Sequence, residues 1–255
     1  MISAKVIFIV GPYRSGTSIT SRVVAALGVN FGGASDLIPA DTRNPSGYFE
    51  RDDLNKANQH YIESAGGSLE SPGHPEHILD RGDVSILQNC DLNWMQHISV
   101  VGIKDPRMCA TLSAWFSAGI FNPQKSRIIH IRRDLEATVR SAKSHDHVAQ
   151  YCAHDPRRIR KMITEYTRLA TFQAQSGICP VLTIDYEELV KNPAGMTKLI
   201  ADFLDVSDPV LIQCAASNIG KHRAQFRFQL LRQWRVLRFR VGFIKNAILG
   251  RIFHK

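Results

Sequence analysis

The segment Gly11–Ser18 reads GPYRSGTS and combines two glycines, several hydroxyl side chains and one arginine. A glycine-rich turn that leads into a helix exposes backbone N–H groups beside the positive end of the helix, and this arrangement binds phosphate-like anions. The spacing of the two glycines is that of a P-loop, GxxxxGK[ST], but Thr17 stands where the P-loop has its lysine. The cation is Arg14, inside the loop. The pattern therefore predicts an anion site unlike that of a P-loop kinase, which needs its lysine on the transferred phosphoryl group.

Regular elements are predicted on both sides of this segment. Residues Lys5–Val10 read KVIFIV, a nearly continuous apolar run that is typical of a strand buried on both faces. The residues after the segment carry apolar side chains at helical spacing up to Gly28, and glycine commonly ends helices. The sequence thus predicts a strand, an anion-binding turn and a helix in succession.

Strands and helices alternate along the rest of the chain. Further strands are predicted at Ser99–Ile103, Arg127–Ile131 and Val181–Ile184. Helices are predicted at Asp52–Ser64, Asp134–Lys143, Asp155–Gln173 and Pro193–Leu204, and long loops at 28–49 and 64–98. This alternation indicates an α/β fold, a three-layer sandwich with a mainly parallel central sheet like that of P-loop NTPases.

The sequence resembles sulfotransferases that use 3′-phosphoadenosine 5′-phosphosulfate (PAPS). The segment RSGTS, Arg14–Ser18, is similar to the family's loop for the 5′-phosphosulfate, in the form in which arginine precedes SGT. The family's 3′-phosphate site is an arginine after a strand and a serine eight residues later, and IIHIRRDLEATVRS supplies Arg133 and Ser141. NPSGYFE (Asn44–Glu50) and GIKDPR (Gly102–Arg107) also resemble bacterial members.

The resemblance implies a donor site for PAPS, with 3′-phosphoadenosine 5′-phosphate (PAP) as product and no metal. Arg14 would contact the 5′-phosphate and the bridging oxygen, and so also act in catalysis. Backbone and hydroxyl donors would come from the four residues that follow, Ser15, Gly16, Thr17 and Ser18. Arg133 and Ser141 would hold the 3′-phosphate and select PAPS over ATP. The alternatives are that Arg14 forms a surface ion pair and that Arg133 is solvated beside Arg132.

A hydroxyl acceptor must lose a proton during the transfer, and a carboxylate within hydrogen-bond reach is the usual base when histidine is lacking. Asp105 is the first candidate, because it lies at the carboxyl end of a predicted parallel strand, where open α/β folds place ligands. Glu50 is the second candidate, and Lys104 would assist on the sulfonate. The alternatives are that Asp105 pairs structurally with Lys104 or Arg107 and that Lys104 is a surface lysine. His130, within an apolar strand, is interpreted as a core residue.

The C-terminal residues differ in charge from the rest of the chain. The net charge is +9, yet ten lysines and arginines and no acidic residue follow Asp208. We expect a sulfotransferase-like domain at 1–220 and a basic amphipathic segment at 221–255. Apolar residues at helical spacing favour a helix in that segment, although residues 237–243 also alternate as in a strand. Three interpretations stay open: the segment contacts a membrane surface, brings an acidic or lipid-linked acceptor, or packs on the core.

The cysteines bear on the compartment. Five are scattered along the chain with no CxxC pair, which is typical of reduced thiols in a cytosol-type compartment without structural zinc. No apolar run approaches the roughly 20 residues of a membrane-spanning helix. We therefore expect a cytoplasmic protein, with peripheral contact at the inner membrane surface as the option that the basic segment adds.

Taken together, these features predict a PAPS-dependent sulfotransferase that acts on a hydroxyl of a carbohydrate or glycolipid, as in polysaccharide sulfation, with no nucleic-acid partner. One alternative is an ATP-dependent P-loop kinase, which would need a Mg²⁺-binding aspartate such as Asp105 or Asp185. A second alternative is a non-enzymatic basic protein that binds membrane or nucleic acid through its C-terminal residues.

Overall fold

The computed structural model describes residues 4–41, 44 and 47–219. Within this part of the chain, four strands form a sheet. They are β1 (Lys5–Val10), β2 (Val100–Lys104), β3 (Ser126–Arg132) and β4 (Val181–Asp185). The strands lie in the order β2-β1-β3-β4, and each neighbouring pair is parallel. Their carboxyl ends therefore share one edge of the sheet, which is where open α/β folds place their ligands.

Helices cover both faces of this sheet. They are α1 (Thr17–Ala26), α2 (Asp52–Ser64), α3 (Pro75–Arg81), α4 (Val84–Gln88), α5 (Met108–Ser117), α6 (Leu135–Lys143), α7 (Asp146–Gln150), α8 (Pro156–Gln175), α9 (Tyr186–Lys191) and α10 (Pro193–Phe203). Phe8 of β1 belongs to an apolar cluster with α5 and α8. Ile7 and Ile9 belong to a second cluster with α1 and α10. Because strand side chains alternate between faces, β1 is buried on both, and the predicted three-layer α/β fold is confirmed.

Helix α6 shows how the sequence fixes a position near the sheet edge. The carboxylate of Asp134, directly before the helix, accepts a hydrogen bond from the N–H of Ala137 at 2.7 Å. Such a cap typically stabilises a helix by about 1 kcal/mol. The cap holds the start of α6 beside Arg133, and Ser141 follows two turns later on the same helix.

The predicted elements agree with the structure in part. The strands and the long helices lie within two residues of their predicted bounds. The loop predicted at 64–98 is wrong, because α3 and α4 lie within it. These helices have seven and five residues, too few for a clear periodic pattern. Helix α5 was not predicted, because eight of its ten residues are buried and it has no alternation of polar and apolar faces.

The C-terminal segment 221–255, with its predicted helix, lies outside the described residues. The last described residues, 209–219, are helical. Ala215 and Ile219 are buried in the cluster that also contains Ile200 of α10. Among the helices that the structure describes, none is long and apolar enough to cross a membrane.

Candidate active site

We call Gly11–Gly16, the loop between β1 and α1, the anion loop. Its chain reverses sharply because Arg14, with φ 66°, and Gly16, with φ 105°, both adopt the left-handed conformation. The hydroxyl of Ser15 donates to the carbonyl of Pro12 at 2.8 Å and closes the turn. For a residue with a side chain, such as Arg14, this conformation costs on the order of 1 kcal/mol. Contacts from other parts of the fold must therefore hold the loop in place.

Two residues that follow β3 provide such contacts. The Nε of Arg14 donates to the Oγ of Ser141 at 3.2 Å. The NH1 of Arg133 donates to the backbone carbonyl of Arg14 at 2.7 Å. The sequence predicted Arg133 and Ser141 as parts of one donor site with Arg14. The structure brings both into contact with Arg14, although each is more than 100 residues away from it in the chain. We call Arg14, Arg133 and Ser141 the cationic half of the site.

The cationic half brings two guanidinium groups together with few direct ion pairs among the described residues. Within the described ranges, no carboxylate forms an ion pair with Arg14, so a surface ion pair does not account for it. Burial lowers the pKa of Arg14, and the charge of Arg133 lowers it further, whereas Tyr48, Tyr186 and Asp41 act in the opposite direction. Arg133 has Glu187 at 3.9 Å from its Nε, and the Glu187 side chain is half exposed. Guanidinium, hydroxyl and backbone N–H donors are those of phosphate and sulfate sites, so these residues fit a ligand that carries such anionic groups.

The adjacent Arg132 has a different environment. Its side chain is exposed and makes two hydrogen bonds to the carboxylate of Asp185, at 2.9 and 2.8 Å. Arg133 instead lies over the ring of Tyr186, with 4.3 Å from its guanidinium carbon to the ring centroid. Arg132 is therefore the solvated arginine of the pair, and Arg133 is the one that contacts the anion loop.

Lys104, at the end of β2, lies beside the first turn of α1. Its Nζ contacts the Oε1 of Glu50, and both side chains are buried. The same Nζ lies 3.4 Å from the Oγ of Ser18, which with the buried Thr17 begins α1. The second carboxylate oxygen of Glu50 accepts a hydrogen bond from Asn55 at 3.2 Å. Lys104 is thus a buried residue next to the first turn of α1 and not a surface lysine.

Asp105 is more deeply buried, with a relative exposure of 1%. One carboxylate oxygen accepts a hydrogen bond from Asn58 at 2.8 Å. The other accepts from the backbone N–H and the NH1 of Arg107, both at 2.9 Å. Burial raises the pKa of Asp105, and the charge of Arg107 opposes that shift. These contacts favour the structural interpretation of Asp105. We call the two ion pairs, Glu50 with Lys104 and Asp105 with Arg107, the paired half of the site.

His130 is a core residue, as the sequence predicted. It is 4% exposed, and burial, with the charge of Arg132, lowers its pKa to about 4. Its Nδ1 lies 3.4 Å from the hydroxyl of Thr183. In the part of the chain that the structure describes, no group of three or more histidine, cysteine or acidic side chains is placed to hold a metal ion.

Sequence analysis missed three residues that shape the site. Asn55 and Asn58 of α2 contact Glu50 and Asp105, and Tyr186 contacts Arg133. Signals for all three are present in the sequence. Asn55 and Asn58 are three residues apart, so they share one face of a predicted helix, although asparagine is a poor helix former. Tyr186 lies just after a predicted strand, at the edge of the sheet where ligands bind.

Comparison with known families identifies the class of protein. A family model described as "Sulfotransferase family" matches residues 6–209. This range contains the anion loop, both halves of the site, strands β2 to β4 and all of β1 except its first residue. The chain belongs to the sulfotransferase family.

Two solved structures are similar to the chain. The sulfotransferase domain from the Synechococcus PCC 7002 olefin synthase is 16% identical, with a TM-score of 0.49 over 83% of this chain and 77% of that one. The sulfotransferase domain from the curacin biosynthetic pathway is 17% identical, with a TM-score of 0.48 over 82% of this chain and 76% of that one. A search of curated proteins finds no match.

Proposed function

We propose that the chain transfers a sulfuryl group from PAPS to a hydroxyl of a carbohydrate or glycolipid. The observation that carries this proposal is the cationic half of the site. Arg14 follows one strand and Arg133 and Ser141 follow another, and the three side chains meet in a partly buried position. Among the described residues no carboxylate forms an ion pair with Arg14. PAPS has anionic groups at both its 5′ and 3′ ends, which suits two guanidinium groups that converge.

In this proposal Arg14 binds the 5′-phosphosulfate, together with the backbone N–H groups of the loop and the start of α1. The residues concerned are Ser15, Gly16, Thr17 and Ser18. Arg133 and Ser141 bind the 3′-phosphate. When bound, PAPS supplies the sulfuryl group, and its S–O bond to the 5′-phosphate breaks as the bond to the acceptor oxygen forms. Arg14 and Lys104 offset negative charge at this position.

For the general base we propose Glu50 in place of Asp105. The carboxylate of Asp105 already accepts three hydrogen bonds and has no exposed surface. Glu50 keeps 10% of its side chain exposed and contacts Lys104, which lies next to Ser18. Glu50 would accept the proton of the acceptor hydroxyl, and Lys104 would stay charged beside it.

Donor selectivity is the test of this proposal. PAP, ATP with Mg²⁺, and AMP are titrated calorimetrically into the wild-type protein and into Arg14→Ala and Arg133→Ala. We expect PAP to bind at least tenfold more tightly than ATP or AMP, and both variants to lose that affinity. Arg132→Ala is the matched control, because it removes the adjacent, solvent-exposed arginine. A preference for ATP with Mg²⁺, or equal losses in Arg132→Ala and Arg133→Ala, would contradict the proposal.

We further propose a cytoplasmic location, with the basic segment 221–255 in peripheral contact with an anionic membrane. The support is the run of ten cations without an acidic residue after Asp208. The full chain should sediment with vesicles that contain phosphatidylserine and not with neutral phosphatidylcholine vesicles. Replacing Arg235, Arg238 and Arg240 by Glu should abolish sedimentation, and sedimentation that survives these changes would rule out this contact.

A further inference from the structure

Tyr186, the first residue of α9, packs directly against the anion loop. A Cβ atom added to Gly16 would lie 2.2 Å from the Cδ2 of Tyr186 and 2.8 Å from its Cε2. No side chain fits at position 16 while the ring stays where it is. Gly16 also has φ 105°, so the ring lies against a turn that only glycine adopts easily.

The same ring contacts Arg133. The guanidinium carbon of Arg133 lies 4.3 Å from the ring centroid, which is a cation–π distance. From this position the NH1 of Arg133 donates to the backbone carbonyl of Arg14 at 2.7 Å. Arg14 is the other left-handed residue of the loop, with φ 66°. Tyr186 and Arg133 therefore contact the two left-handed residues of one tight turn.

We propose that Tyr186 and Arg133 together hold the anion loop in its binding conformation. Tyr186 is a positioning residue for the 5′ anion subsite, and Arg133 acts on that subsite as well as on the 3′-phosphate. This inference rests on the proposed donor site. It adds that the two subsites are coupled through the protein, because the arginine of one subsite fixes the backbone of the other.

Binding of inorganic pyrophosphate separates this role from direct nucleotide contact. Pyrophosphate carries neither a base nor a 3′-phosphate. Any effect of Tyr186 or Arg133 on its affinity therefore does not come from contacts with those parts of a nucleotide. Calorimetric titration should show at least tenfold weaker pyrophosphate binding in Tyr186→Leu. Arg133→Lys should weaken it similarly although it keeps the charge, because lysine lacks the planar group that both stacks on the ring and reaches the Arg14 carbonyl.

Two control variants accompany these measurements. Tyr186→Phe should bind pyrophosphate within twofold of the wild type, because the ring and not the hydroxyl makes the contacts. Arg132→Ala should also stay within twofold. Melting temperatures are recorded for all variants, because a purely structural defect would lower the melting temperature without changing the pyrophosphate affinity of the folded protein. If Tyr186→Leu does not fold, Arg133→Lys decides the question.

Wild-type pyrophosphate affinity in Tyr186→Leu or Arg133→Lys would overturn the inference, whatever happens to PAP. Absence of pyrophosphate binding by the wild type would overturn it too. Failure of the proposed donor is seen separately, as a lack of preference for PAP over ATP in the wild type. In that case the pyrophosphate titrations still decide whether Tyr186 and Arg133 hold the loop.

Discussion

In the paired half of the site each cation contacts a carboxylate. In the cationic half, by contrast, no described carboxylate pairs with Arg14, and Arg133 has one at 3.9 Å. Both halves lie at the carboxyl edge of the same parallel sheet, but the cationic half follows β1 and β3 and is partly buried, whereas the paired half adjoins the end of β2 and is buried. Charge removed from water is costly unless it is balanced. The two ion pairs of the paired half balance each other, and we propose that an anionic ligand balances the cationic half. Loss of a cation should therefore lower the folding stability in the paired half. In the cationic half it should weaken anion binding and leave the folding stability unchanged or higher.

The largest effect is expected in the paired half. Arg107→Ala would leave Asp105 buried without its cation, and removing one partner of a buried pair typically costs about 3–5 kcal/mol. Unfolding in guanidinium chloride measures this loss. The double variant Arg107→Met with Asp105→Leu should recover part of it. A loss below about 1 kcal/mol in Arg107→Ala would mean that the pair is not a structural requirement.

In the cationic half the same kind of change should affect binding and spare the fold. Arg14→Met keeps the apolar stem and removes a charge near Arg133. PAP binding should weaken by about 2–3 kcal/mol, as expected for a lost hydrogen bond to a charged group. The free energy of unfolding without ligand should stay the same or rise. A destabilisation as large as that of Arg107→Ala would remove the distinction between the two halves.

His130 can be compared with both halves of the site, because it is buried and neutral and forms no ion pair with a described residue. Its pKa in the folded protein is about 4, below the ordinary 6.5. The unfolded chain therefore binds a proton first as the pH falls, so stability is full above about pH 6.5 and declines toward pH 4. From about pH 7 to pH 5 the loss from this group should be about 2 kcal/mol.

Guanidinium unfolding at these two pH values, for the wild type and His130→Gln, measures that contribution. The variant should lose less stability on acidification than the wild type. Equal losses in the two proteins would show that other groups, such as the carboxylates of the paired half, dominate the acid response.

The smallest effect concerns anions in the absence of nucleotide. Sulfate at ten times its dissociation constant should stabilise the wild type by about 1.4 kcal/mol, because it binds the folded cationic half. Arg14→Met should lose this stabilisation, and chloride at the same ionic strength is the control. Equal stabilisation by sulfate in both proteins would place the anion elsewhere.

The sequence predicted the cationic half better than the paired half. KVIFIV and the turn after it have local patterns, and the spacing of Arg133 and Ser141 follows a family motif. The ion pair between Glu50 and Lys104 joins residues 54 positions apart and has no local signal. Asp105 was favoured as the base because its place at a strand end is visible in sequence.

The burial of Asp105, by contrast, depends on tertiary contacts. Asn58 comes from α2, and the nearly uniform apolar sequence of α5, which follows Arg107, did not predict a helix. Local patterns thus identify which residues reach the edge of the sheet. Whether such a residue is already buried and hydrogen-bonded by neighbouring side chains follows only from the packing of α2 and α5.

The most direct test compares one variant from each half on both binding and transfer. PAP affinity is measured by calorimetry, and PAP formation from PAPS is followed with a set of carbohydrate acceptors. Arg14→Ala should lose affinity by 30-fold or more, the order expected for a charged hydrogen bond. Glu50→Gln should keep PAP affinity within about twofold and lose roughly 100-fold or more in rate, the range of general base catalysis. A Glu50→Gln protein that transfers at the wild-type rate, or that loses PAP affinity as Arg14→Ala does, would contradict this division between binding and chemistry.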